Sequence, residues 1–388
     1  MLYRDLGRTG AKVSALGFGC MRLPIVGGKT ASDVFNPNNP IEEKEAMRMV
    51  SYAIDNGVNY FDTAYPYHGG QSEPFIGRAL KPHRGKVMIA TKLPAWLVEG
   101  KGDLDRFLNE QLQKLQTDHF DVYLLHSLGR ATWKKMQEVD AFSFMSRAKK
   151  EGKVRFVGFS FHDDFACFQE IADAHPWDVC QIQYNYYDEH FQAGKKGLEH
   201  AAAKGIGVIV MEPVRGGKLA GHIPKEIQAV WDTAPVKRTP AEWALRWVWN
   251  HEHVSTVLTG ASSLAQLQEN VRAAASAWPG SLSAEELARV RKVTELYRTM
   301  LKVPCTSCAY CMPCPNGVDI PMNFSLYNDS FMFPHDDMAV MMYNNFLGPE
   351  QKASSCKSCE ACAAHCPQKL DIVKELQHVH QRLMLMPK

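Results

Sequence analysis

The sequence predicts an α/β fold: a closed (β/α)8 barrel of the TIM type over residues 1–299, followed by a small, mainly helical, cysteine-rich domain over residues 300–388. Three observations carry that expectation. Short β-rich segments alternate with helical ones from the start to about residue 280, the pattern of a parallel sheet wrapped in helices. There are eight such segments, the number that closes a barrel. Beyond them, eight of the eleven cysteines fall into two short runs, 305–314 and 356–366.

The strand candidates are, in order, SALGFG (14–19), NYFDTA (59–64), VMIATK (87–92), FDVYLLH (120–126), VRFVGFS (154–160), VCQIQY (179–184), GVIVMEP (207–213) and STVLTG (255–260). Their nearly continuous apolar character suits strands buried on both faces. Helical stretches lie between them: IEEKEAMRMVSYAIDNG, stopped by Gly57; DLDRFLNEQLQKLQ; SFMSRAKKEGK; and TPAEWALRWVWN, with Pro240 at a helix start. A last amphipathic stretch, SAEELARVRKVTELYRTMLK, leads to Val303-Pro304, and the domain boundary is placed near residue 300. An open doubly wound sheet is the rival architecture. It is set aside because no G-x-G-x-x-G opens a helix after an early strand, and GFGCMRLPIVGG does not serve.

With 388 residues, 45% hydrophobic and 22% charged, the chain is ordinary for a globular protein. A formal charge of +2 speaks against nucleic acid or an anionic membrane as partner. There is no apolar run of membrane-spanning length, and MLYRDLGRTG lacks the apolar core of a signal peptide, so a cytoplasmic protein is expected. In that reducing compartment, clustered thiols bind metal more often than they pair.

Reactive residues of such a barrel come from the C-terminal ends of strands and the loops after them. Asp62 lies near the end of the second candidate strand, Tyr67 five residues on, Lys92 at the end of the third and His126 at the end of the fourth. Each alone has a structural explanation, as a turn cap, a loop packer, a snorkelling cation or a backbone-bonded imidazole. Their placement on successive strand ends fits the reduction of a carbonyl by hydride, in which a proton must reach the developing oxyanion. An ammonium beside the phenol is expected to lower the tyrosine pKa, and a carboxylate to hold that ammonium charged. A histidine donating to the same oxygen would orient the substrate.

In order and spacing, YRDLGRTGAKVSALGFGCMRL, NYFDTAYPY, IATK, DVYLLH, GFS, QIQYN and LTGASSLAQLQEN resemble the aldo-keto reductase superfamily over residues 1–280. The resemblance implies NADP or NAD as cofactor, a small carbonyl or alcohol as substrate, and Asp62, Tyr67, Lys92 and His126 as the catalytic tetrad with Tyr67 the proton donor. By the same resemblance Ser160 and Gln183 hold the nicotinamide carboxamide, Met211 lies against the nicotinamide face, and Gly260, Ser262, Gln266 and Asn270 line the adenosine phosphates.

Three positions depart from the superfamily pattern. Phe161 replaces an asparagine, Met211 replaces an aromatic ring, and Gln266 with Gly260 stand where NADP-preferring members carry cations. A dianionic 2′-phosphate is held best by fixed cations, so weak discrimination or a preference for NADH is expected. The insertion PIVGGKTASDVFNPNNP, together with Trp96, is expected to shape the pocket mouth.

The second cysteine run, Cys356-x2-Cys359-x2-Cys362-x3-Cys366-Pro367, has the spacing of bacterial ferredoxins. The first, Cys305-x2-Cys308-x2-Cys311-x2-Cys314-Pro315, is one residue shorter at its end. If the ferredoxin crossing holds, one 4Fe-4S cluster uses Cys305, Cys308, Cys311 and Cys366, and a second uses Cys356, Cys359, Cys362 and Cys314. A pair of zinc sites is the structural alternative, although zinc knuckles present two C-x2-C pairs separated by a longer loop. MPCPNGVDIP and CPQKLDI resemble the superfamily branch that ends in a ferredoxin-type domain. The aromatic and methionine spacing of FSLYNDSFMFPHDDMAVMMYNNF reads as this domain's own small core. Few large aliphatic side chains flank the cysteines, so the domain is expected to depend on its metal.

A nicotinamide delivers two electrons as hydride and a 4Fe-4S cluster passes one. Coupling to a ferredoxin or another one-electron carrier, a purely structural use of the clusters, and redox sensing all stay open on the sequence. So does a different class of function, an electron-transfer or redox-sensing adaptor on a retained barrel scaffold.

Overall fold

The computed structural model describes residues 1–28, 33, 36, 39–308, 310–333 and 337–385. In chain order the elements begin with β1 (Tyr3–Asp5), β2 (Lys12–Ser14), β3 (Leu16–Gly19), α1 (Glu43–Asp55), β4 (Tyr60–Asp62), α2 (Ser72–Leu80), β5 (Met88–Leu93), α3 (Lys101–Lys114) and β6 (Phe120–Leu128). There follow α4 (Arg130–Glu138), α5 (Ala141–Lys150), β7 (Val154–Phe161), α6 (Phe165–Ala174), β8 (Val179–Gln183), α7 (Gly194–Ala203), β9 (Gly207–Met211), α8 (Lys225–Asp232), α9 (Pro240–Trp249), β10 (Val254–Thr259) and α10 (Leu264–Ala274). The last are α11 (Ala284–Thr299), α12 (Ile320–Met332), α13 (Met338–Met341) and α14 (Ile372–Leu385). The chain divides into two compact units, one of Met1–Gly28, Asp33–Ala220 and Arg238–Leu287, the other including Gly221–Lys237 and Ala288–Lys388.

The first unit is the expected barrel. Its strands close in the order β10-β3-β4-β5-β6-β7-β8-β9, every pair parallel. Each of the eight strand candidates is one of these strands, with ends shifted by a few residues. The central strands are buried on both faces, as β10 and β4 are along their whole length, which is why they read as continuous apolar runs.

One feature was not expected from the sequence: β1 and β2 form an antiparallel hairpin ahead of the barrel. Three residues per strand are too few for alternation to be legible. The hairpin places Leu6, Ala11 and Val13 in one core cluster with Tyr60, Val122 and Ile209 from inside the barrel. Leu6 is fully buried, worth about 2 kcal/mol of transfer free energy for one such side chain. Gly7 has φ +53°, and a Cβ there would sit 2.3 Å from the Gly207 nitrogen, so only glycine fits. The Arg4 guanidinium donates to the carbonyls of Val254 at 2.9 Å, Trp249 at 2.5 Å and Ala277, tying the hairpin to the end of α9. Burial lowers the Arg4 pKa to about 10.

In the second unit α12 and α14 supply most of a buried core: Ile320, Phe324, Leu326 and Tyr327 from one, Ile372, Leu376, Val379 and Leu383 from the other, with Val303, Val318 and Tyr343 beside them. The expected thinness of this core is thus corrected. Its apolar residues are spaced at helical intervals along α12 and α14, outside the cysteine runs in sequence, and the fold brings them against the cysteines: Cys362 lies within this core. The aromatics and methionines between the runs do enter the interior at Phe324, Tyr343, Met332 and Met338; residues 334–336 of that stretch lie outside the described residues. Among the described residues, no helix is long and apolar enough to cross a membrane.

Candidate active site and cluster sites

Strand β4 ends at Asp62, and the chain then turns sharply through Tyr67–Gly70, where His68, Gly69 and Gly70 all have positive φ. That turn leads into α2 at Ser72. The Ser72 hydroxyl lies 2.9 Å from that of Thr63 and donates to the Cys20 carbonyl at 3.3 Å. Behind it Glu73, fully buried, accepts from Thr91 at 2.7 Å and from Gln111 at 2.5 Å. Gln111 also donates to the Lys92 carbonyl at 3.0 Å and accepts from the Tyr123 hydroxyl at 2.8 Å. This buried bracket fixes the backbone that carries Lys92.

All four rim residues come together. The Lys92 ammonium donates to Asp62 at 2.7 Å, to the Thr63 carbonyl at 2.8 Å and to the Tyr67 oxygen at 3.3 Å. Across from the lysine, the Tyr67 and His126 rings meet edge to face with centroids 6.0 Å apart. Trp96 stands 5.0 Å from His126, which puts it at the site as expected. The base of the early insertion is closed by Ile25 pairing with Ile41, while its residues 29–32, 34, 35, 37 and 38 lie outside the described residues.

The electrostatics correct one expectation. Burial raises the Tyr67 pKa above 10, and the opposing pull of Lys92 does not overcome it, so the phenol is held protonated rather than acidified. Burial also pulls on Lys92, but Asp62 and Tyr67 outweigh it and hold the ammonium above the usual lysine value. His126 is driven well below 6.5, first by burial, then by Lys92 and His162, and is neutral. Its Nδ1 is buried without a partner among the described residues.

Several contributors carry no motif. Gln181 donates to the second oxygen of Asp62 at 2.9 Å; the alternation in QIQ, which turns Gln181 and Gln183 to one face, was the available signal. Asp188 accepts from Gln183 and Arg215, both at 3.0 Å. Ser127 within the end of β6, and Glu212 and Arg215 just beyond β9, have φ between 51° and 58°. Strained residues gathered at one rim mark a site whose shape the fold maintains at a cost.

Ser160 pairs in register with Gln181, and Gln183 with Met211, so these residues step around adjacent strands at the same end of the barrel. The Ser160 oxygen accepts from the Ser127 N–H at 2.7 Å, leaving its own proton to donate. Gln183 uses its amide N–H on Asp188 and keeps its carbonyl oxygen. One donor and one acceptor fit the two ends of a carboxamide. Gly260, Ser262, Gln266 and Asn270 surround the start of α10: Gln266 accepts from the Ser262 N–H at 2.9 Å, and Asn270 donates to Thr259 at 2.7 Å. Sequence reasoning missed Arg22. Its side chain crosses this region, with Cδ 3.2 Å from where a Cβ on Gly260 would lie and a guanidinium nitrogen 3.1 Å from the same point on Gly216. A cation is therefore present where Gly260 and Gln266 offer none.

In the second unit Cys305, Cys308, Cys311 and Cys366 line one pocket, closed by Ile320, Phe324, Leu370 and Ile372. Cys314 falls with the other run: burial raises the Cys362 pKa, and the nearby Cys356, Cys314 and Cys359 add to it. Cys366 thus stands with the first run, and Cys314 lies near the second. Among the described residues no three His, Cys, Asp or Glu close on a single-ion position; a four-iron cluster spreads its ligands wider than one zinc with bonds of about 2.3 Å. Two buried asparagines of α12 hold the approaches. Asn328 accepts from the Lys302 and Val303 N–H groups, both at 2.9 Å, just before Cys305. Asn323 accepts from the Ala353 N–H at 2.9 Å, just before Cys356.

A parallel eight-stranded barrel whose strand ends gather a buried Asp–Lys pair, a tyrosine and a neutral histidine defines an oxidoreductase barrel, here joined to a second, cysteine-bearing unit. The aldo/keto reductase family profile matches residues 15–295, and a 4Fe-4S dicluster domain profile matches residues 304–370. The chain belongs to the aldo/keto reductase family. L-galactose dehydrogenase of Arabidopsis thaliana is 28% identical over 317 residues, covering 75% of this chain and 94% of that protein. A probable voltage-gated potassium channel subunit beta of the same plant is 26% identical over 319 residues, covering 70% of this chain and 91% of that protein. Among solved structures, the holo form of aldo-keto reductase AKR11C1 from Bacillus halodurans superposes with a TM-score of 0.59 at 28% identity, covering 76% of this chain and 96% of that one.

Proposed function

We propose that the protein interconverts a small carbonyl compound and its alcohol in the cytoplasm, with NADP or NAD as cofactor and Tyr67 as acid and base. We further assign two 4Fe-4S clusters to the eight cysteines, exchanging single electrons with a ferredoxin or another one-electron carrier. The barrel then spans residues 1–299 and the cluster domain 300–388, with α11 leading from one to the other. The observation that carries the catalytic reading is the Lys92 ammonium bonded to both Asp62 and the Tyr67 oxygen.

When bound, a nicotinamide dinucleotide would supply the hydride. Tyr67 donates its proton to the carbonyl oxygen, and Lys92, 3.3 Å away, stabilises the phenolate left behind. Asp62 keeps that ammonium charged and Gln181 keeps Asp62 in place. His126, held neutral, has one ring N–H to donate to the same oxygen. Ser160 and Gln183 would hold the carboxamide, Met211 the ring face, and Gly260, Ser262, Gln266, Asn270 and Arg22 the phosphates. A carbonyl and alcohol panel under anaerobic conditions, followed by NAD(P)H absorbance, tests the assignment; the similarity to L-galactose dehydrogenase makes sugars the first substrates to try.

The pKa directions bear on pH. In the reduction direction the acid must be protonated, and a Tyr67 pKa raised above 10 keeps it so; a His126 held well below 6.5 stays neutral. The rate of reduction is therefore expected to stay flat between about pH 7 and 9. A fall with midpoint near pH 8 in kcat/KM would show the phenol acidified instead.

Arg22→Ala is expected to weaken NADPH by about tenfold, 1.4 kcal/mol, and NADH less, because the cation stands beside Gly260, where NADP-preferring members carry one. Fluorescence titration measures this. In the wild type a hundredfold advantage for NADPH, about 2.7 kcal/mol, would contradict weak discrimination. The same titration separates the enzyme from the adaptor reading, which the likeness to a channel subunit keeps in view: an adaptor need bind neither dinucleotide.

A further inference from the structure

The two cysteine runs are built as near-copies. Cys305 is followed two residues on by Ser307, at φ 54°, whose N–H donates to the Cys305 sulfur at 3.4 Å; Cys356 is followed by Ser358, also at φ 54°, with the same bond at 3.4 Å. Past each Cys-Pro, an aspartate caps the next helix: Asp319 accepts from Met322 at 3.1 Å and Asp371 from Lys374 at 3.2 Å. Matching Cys314-Pro315 to Cys366-Pro367 aligns Asn316 with Gln368.

At that matched position the copies diverge. The Asn316 amide donates to the Cys359 sulfur at 3.8 Å. Gln368 lines the pocket of Cys305, Cys308, Cys311 and Cys366, and among the described residues it makes no hydrogen bond to a sulfur. Ile320, Phe324, Leu370 and Ile372 wall that same pocket. An N–H directed at a ligating sulfur stabilises the more negative, reduced state, whereas apolar walls disfavour it.

Resting on the reading that the eight cysteines hold two 4Fe-4S clusters, we propose that these are electronically unequal. Asn316 sets the cluster on Cys314, Cys356, Cys359 and Cys362 at the higher potential, making it the electron-accepting end of the pair. One electron given by a one-electron carrier to the apolar-walled cluster leaves it oxidised again on passing to the second, which is reduced by that electron; no bond forms and no proton moves.

The test is a redox titration of the anaerobic full-length protein by electron paramagnetic resonance, with iron and sulfide assayed in the same samples. Two one-electron waves are expected. Asn316→Ala should lower the higher wave by a tenfold change in its reduction equilibrium, about 59 mV for one electron, and Asn316→Asp, of the same size but unable to donate, should lower it further. Gln368→Ala should leave that wave in place. Equal waves in the wild type, or a higher wave unmoved in both variants, overturns the inference while the clusters stand. Loss of iron from both Asn316 variants makes the residue a structural support and overturns its electronic role. Wild-type protein with zinc and no sulfide removes the cluster reading itself, and the inference with it.

Discussion

Tyr67→Phe is expected to lower kcat by about 10²–10⁴-fold, the range of a lost general acid, while the dissociation constant of the dinucleotide stays nearly the same. The substitution removes one oxygen and leaves the ring against His126 and beneath the Lys92 ammonium, which lies 4.9 Å from the ring centroid. Lys92 retains Asp62 and the Thr63 carbonyl, so the site should remain folded. Stopped-flow reduction rates together with fluorescence titration read the two quantities separately. A variant that turns over at the wild-type rate would remove Tyr67 from the chemistry.

The second large effect is expected in iron. Anaerobic preparations should contain about eight iron and eight sulfide per chain, and Cys359→Ser should reduce both toward about four, by the stoichiometry of two cubanes. The core formed by α12 and α14 includes Cys362 and has Cys305, Cys311, Cys314, Cys356 and Cys366 packed against it, so metal loss should open the cysteine loops to protease and loosen the helices that rest on them. Zinc in place of iron, or loops that resist protease with no metal bound, would dismiss a cluster-bearing second unit.

The barrel was legible because a strand buried on both faces reads as an apolar run, and eight such runs survive any error at their ends. The rim residues were legible for a related reason: Asp62, Lys92 and His126 interrupt those runs near their C-terminal ends, where a buried strand has no other use for charge. The β1–β2 hairpin was hidden by its brevity. Arg22 was hidden because its significance lies in its approach to Gly216 and Gly260, about 190 and 240 positions away in a chain of 388. The direction of the Tyr67 shift was misjudged because sequence supplies the partner, Lys92, and not the depth of burial that opposes it. Asn323 and Asn328 look like ordinary helix residues until their oxygens are seen accepting from the backbone ahead of each cysteine run.

The barrel closes where Leu16 of β3 pairs with Val257 of β10. A growing polypeptide therefore carries its first barrel strand with one neighbour missing until the ribosome has delivered the last, after all the other barrel strands are already made. Until then the outer edge of β3 and the far edge of β9 both present unpaired backbone, the kind of surface that recruits a strand from another molecule. Contacts this distant along the chain also slow folding. Yield in recombinant expression should consequently respond more to translation speed and chaperone supply than to small changes in the stability of the finished barrel.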